Sequence, residues 1–142
     1  MGVMWSIAVV ACVIRALYGW LTYDDEGFAI YTSVQILEGH KLYTEVFTDY
    51  GPVLHLANAG LAWLFGPSML AFRLVTTGLA VLSAIFLYKI ARRFMPPLAA
   101  TVPSVAWLFM SSFKLNEGLL PGWYTTTLVL ASIYLLVQRQ AA

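Results

Sequence analysis

The chain is short of charge and of cysteine, and it has no glycine-rich phosphate loop. Only 11% of its 142 residues are Asp, Glu, Lys or Arg, against about a quarter in an ordinary soluble domain. That is too little polar surface to cover a globule in water. The single cysteine, Cys12, excludes an internal disulfide and reads as packing inside an apolar run. A net charge of +1 provides no basic field for nucleic acid. Without a Gly-rich loop, a soluble nucleotide ligand has no local support. Internal repeats and low-complexity stretches are also absent. The N-terminus lacks the basic region and small-residue cleavage site of a signal peptide, so the first segment reads as a retained helix.

What the chain has in plenty is apolar sequence. Hydrophobic residues make up 61%, and mean hydropathy is +0.78. The spacing predicts an all-α integral membrane protein. About 20 residues cross the hydrocarbon, and four segments qualify: roughly 3–22, 69–91, 97–113 and 120–138. The second follows Gly66-Pro67-Ser68, with Ser68 as a natural N-cap, and Pro96-Pro97 separates it from the third. The fourth opens on Pro121, Trp123 and Tyr124, a proline start with aromatic interface anchors. If all four span, Lys89, Arg92, Arg93 and Arg139 share one side, and the positive-inside rule makes it the cytoplasm. The acids then face outward, most of them in the 23–68 loop.

That outer loop is patterned. Residues 27–38, GFAIYTSVQILE, align Ile30, Val34 and Leu37 on one face, and Gly39 is a helix stop. Residues 52–65, PVLHLANAGLAWLF, begin at a proline and stripe Leu54, Ala57, Leu61 and Leu64. Both read as amphipathic helices lying on the outer membrane surface. Asp24, Asp25 and Glu26 stand where the first span ends. Capping of the next helix accounts for one of them. It does not require three, and a carboxylate at a low-dielectric boundary can accept a proton. Asp49 lies two places before the Gly51 cap, as either a solvated turn residue or a second acidic station.

Asp25-Glu26-Gly27, Ile36-Leu37-Glu38-Gly39, Leu42-Tyr43, Phe47-Thr48-Asp49-Tyr50-Gly51-Pro52, Leu64-Phe65-Gly66 and Phe72-Arg73-Leu74 follow one another in order. Together they resemble the start of the GT-C membrane glycosyltransferases. The likeness is to family 39, the protein mannosyltransferase and aminoarabinose-transferase type, and runs from about residue 10 to residue 95. The resemblance implies a plasma-membrane enzyme that transfers sugar from a polyprenyl-phosphate donor to an acceptor hydroxyl. Transfer is on the extracytoplasmic face with inversion. It assigns the base to Asp25, with Glu26 supporting. Asp24 is an additional acid that leaves the register open by one. Asp49 matches the second acid, which in mannosyltransferases precedes His-Pro-Pro and here precedes Tyr50-Gly51-Pro52. The family domain has further helices, so the chain reads as its N-terminal part.

Transfer of this kind needs a cation for the leaving phosphate. Arg15, Lys41, Arg73 and Lys114 are the candidates. Arg15 interrupts a membrane segment, where an ionisable residue marks function or snorkels. Arg73 is either that cation or the structural partner of a loop acid. Some GT-C enzymes bind divalent ions, and Asp25, Asp49 and a histidine are the available ligands, without a diagnostic spacing. His40 and His55 read as ordinary interface histidines. The other readings of the pattern are a transporter or channel fragment, with Arg15 and the acids along a pathway, and a non-catalytic membrane subunit whose loop docks a partner.

Overall fold

The computed structural model describes residues 5–6, 9–10, 13–14, 25–114 and 121–139, excluding the side chains of Asp25 and residues 112–114. The described residues are helical, joined by turns, and contain no β-strand. Numbered from Asp25, the helices are α1 (Asp25–Leu37), α2 (Pro52–Phe65), α3 (Met69–Ala91), α4 (Pro97–Lys114) and α5 (Pro121–Arg139). Within the expected first span only Trp5, Ser6, Val9, Val10, Val13 and Ile14 are described, and all are helical. Among the described residues α3 alone is both long and apolar enough to cross a membrane.

The sequence sets these boundaries in identifiable ways. Proline is the first residue of α2, α4 and α5, where the missing N–H costs no helical bond. Gly39 closes α1 at φ +94°. The Gly39 N–H donates to the Ile36 carbonyl and the His40 N–H to the Gln35 carbonyl, at 3.0 Å each, which is a Schellman ending. Ser68 does occupy the N-cap of α3, but its hydroxyl makes no capping bond.

α3 is the hub, with α4 and α5 packed along it, while α1 and α2 pack on each other. Phe86 of α3 stacks obliquely on Tyr134 of α5, and Arg93 hydrogen-bonds Gln138, so α3 and α5 run the same way. One cluster joins Ala80 and Ala84 of α3 to Leu108 of α4 and Trp123 of α5, with Trp5 and Val9 against it. A second joins Ala29, Ala62 and Phe72, and so seats the α1–α2 pair on the head of α3.

The faces that α1 and α2 turn to the rest of the protein are built largely from small and polar side chains. α1 buries Glu26, Ala29, Thr32 and Ser33, while Leu37 and Tyr31 are exposed. α2 buries Leu54, His55, Asn58, Ala59 and Ala62, and leaves Leu64 out. Of the two stripes, Leu54 is buried and Ile30 and Leu61 pack against the second cluster, whereas Leu37 and Leu64 are exposed. Here close approach of helices selects small side chains. Across the described residues buried polar side chains outnumber buried apolar ones, and alanine is the commonest of the latter.

Ala84 is wholly buried, whereas Leu82 on the same helix is exposed. Ala84→Leu should therefore cost about 1–3 kcal/mol by overpacking, and Leu82→Ala should stay within about 0.5 kcal/mol. Denaturation of both variants in lipid micelles measures the difference.

Candidate functional site

The polar groups gather where α1 and α2 meet the heads of α3 and α5. Glu26 is in the first turn of α1 and Arg73 in the first turn and a half of α3. The Arg73 Nε donates to Glu26 Oε1 at 2.9 Å and its Nη2 donates to Oε2 at 2.7 Å. Both side chains are buried, at 8% and 3% exposure. This is the two-pronged geometry that makes a guanidinium–carboxylate pair strong and directional. Below it, Thr76 and Thr77 return their hydroxyls to the Phe72 and Arg73 carbonyls.

Asp25 precedes Glu26 as the first residue of α1, two places earlier than the start expected at Gly27. Asp24 and Arg15 lie outside the described residues. Asp49 is exposed and forms no ion pair among the described residues. Lys41 is exposed too; its backbone N–H donates to Glu45 Oε2 at 2.7 Å. The structure thus brings Glu26 and Arg73 together, and Arg73 meets a loop acid rather than an open cavity. His40 sits on the exposed loop, 3.7 Å from Glu45. Among the described residues no three His, Cys, Asp or Glu side chains are arranged to hold a metal ion.

Two participants, His55 and Tyr124, had been read only as interface residues. His55 is buried, with its Nε2 2.6 Å from the Thr48 hydroxyl. Desolvation lowers its pKa from the ordinary 6.5. Asn58, one turn on, accepts a hydrogen bond from the Tyr124 hydroxyl at 3.0 Å, which ties α2 to α5. Beside that bond a groove of about 360 Å³ runs between the starts of α2 and α5, walled by Leu54, Ala57, Tyr124 and Leu128. The sequence did carry a signal: His55, Asn58 and Ala62 are spaced three and four apart, on one face of a helix without Asp, Glu, Lys or Arg.

Two outcomes follow. Removing one partner of a buried ion pair strands the other, so Arg73→Met or Glu26→Gln should each cost about 3–5 kcal/mol. The double variant should lose less than the sum, as a double-mutant cycle of unfolding will show. His55 is held neutral in the fold. At and above pH 6.5 its contribution is complete; below it the unfolded chain takes up a proton that the folded one resists, so stability falls as pH drops toward the lowered folded pKa. His55→Gln should flatten that part of a stability-versus-pH curve.

No protein-family model, no curated protein and no solved structure matches this chain.

Proposed function

We propose that this chain is the N-terminal part of an inverting GT-C glycosyltransferase in the plasma membrane, using a polyprenyl-phosphate sugar on the extracytoplasmic face. In this reading the N-terminal segment, α3, α4 and α5 are spans. At about 1.5 Å per residue, even the 18-residue α4 reaches nearly across the hydrocarbon. The support is the inverted exterior: Leu74, Val102, Phe109, Leu128 and Leu135 lie exposed on three helices, around an interior of Ala, Ser and Thr. A surface that apolar is suited to lipid.

The observation that carries the catalytic part is the Glu26–Arg73 pair. It fastens the first turn of α1 to the head of α3, and Asp25 is the neighbouring residue. Asp25 acts as general base and takes the proton of the acceptor hydroxyl as that oxygen bonds the anomeric carbon. The bond from that carbon to the phosphate oxygen breaks, and the lipid phosphate leaves with the electron pair. Such base assistance is worth about 10²–10⁴-fold. Glu26 and Arg73 position the base. Lys41, exposed on the same outer loop, and Arg15 are the cations for the departing phosphate. Asp49 orients the sugar or acceptor from the facing turn.

The test is sugar transfer from polyprenyl-phosphate donors by the complete protein that carries this chain. Asp25→Asn should reduce kcat by at least about 100-fold and Asp49→Asn by less. Undiminished transfer by a well-folded Asp25→Asn protein removes Asp25 from the role of base. Labelling of residues 24–49 from the cytoplasmic side only would overturn the orientation.

A further inference from the structure

His55 is costly where it stands. Its exposure is 1%. Phe28 of α1 meets its ring edge-on at 6.4 Å, and Tyr50 packs at 6.3 Å. Its Nδ1 is buried without a hydrogen-bond partner among the described residues. A buried polar atom left unpaired costs about 1–3 kcal/mol, so an apolar side chain of similar size would pack this site more favourably. Among the described residues, the side-chain hydrogen bond that His55 makes is to Thr48.

That bond reaches a turn held at two points. The Thr48 hydroxyl oxygen also accepts the Tyr50 N–H at 3.2 Å, spanning Asp49. On the other side the Tyr43 hydroxyl donates to the Tyr50 carbonyl at 2.9 Å. Tyr43 itself is at φ +68°, the left-handed region, and is the one non-glycine there among the described residues. Such strain costs of order 1 kcal/mol and persists where surrounding contacts over-determine it. Strain, an orphaned ring nitrogen and two side-chain clamps converge on a three-residue turn whose middle residue is an exposed carboxylate.

We propose that His55 is a positioning residue for Asp49: through Thr48 it holds the 48–50 turn, and so the Asp49 carboxylate, in one setting at the head of α2. The functional half rests on the reading of Asp49 given above. The structural half does not.

The experiment uses the full chain in lipid nanodiscs, with Cys12→Ser and Asp49→Cys carrying a spin label. His55→Leu and Thr48→Val each remove the bond and should free the label, with the double variant no more mobile than either alone. His55→Gln and Thr48→Ser keep a bond and should retain the parent spectrum. An unchanged spectrum in the Leu and Val variants overturns the proposal, and so does a Gln variant as mobile as Leu. In the transfer assay, with Asp49 intact, His55→Leu should lower kcat by roughly 10- to 100-fold while donor KM holds. It should add no further loss to Asp49→Asn; a full multiplicative loss overturns the route through Asp49. Absence of any transfer by the unaltered protein counts against the glycosyltransferase reading alone, and label mobility then decides the positioning role.

Discussion

The bond between Glu26 and Arg73 sets the geometry of the rest. It joins residues 47 apart in sequence and links the start of α1 to the start of α3. A buried ion pair is weak evidence of net stability, because desolving two charges offsets much of their attraction. It is strong evidence of orientation. Two parallel bonds fix both the height and the rotation of α1 against α3. α2 follows, because it packs on α1, and His55 and Asn58 are thereby aimed at Thr48 and Tyr124.

Around that pair several buried hydroxyls satisfy themselves. Ser33 bonds the Ala29 carbonyl, Thr76 that of Phe72 and Thr77 that of Arg73, each buried and each in its own helix. Back-bonding of this sort lets a hydroxyl be buried without a partner across the interface. It also lets helices approach closely. Cross-helix polar links among the described residues include Ser83 with Thr127, Trp107 with the Ala80 carbonyl and Tyr124 with Asn58. Bulk is left for the outside.

The helices were legible in the sequence because their limits are local. Prolines 52, 97 and 121 and Gly39 act on their own backbone, and apolar length is a sum over neighbours. The faces were less legible. A hydrophobic stripe identifies the bulky side of a helix, but only the surroundings decide whether bulk goes in or out. Ile30 packs against the second cluster while Leu64 is exposed, and the stripe that holds each does not say which. Arg73 was legible as a residue with two candidate roles; which acid it meets depends on the tertiary path between α1 and α3. His55 was read as an interface histidine because nothing in 52–65 announces that Thr48, outside the helix, folds back onto it.

The prolines that open α2, α4 and α5 have a consequence for the turns ahead of them. A pyrrolidine ring clashes with the residue before it in helical conformation, and Gly51 accordingly sits extended at ψ 154°. These helices cannot lengthen backwards. The 38–51 segment, stopped by Gly39 on one side and Pro52 on the other, has no slack to wind into regular structure. Its contour length is conserved mechanically, as in a strap sewn down at both ends, so the strain at Tyr43 has nowhere to dissipate along the chain.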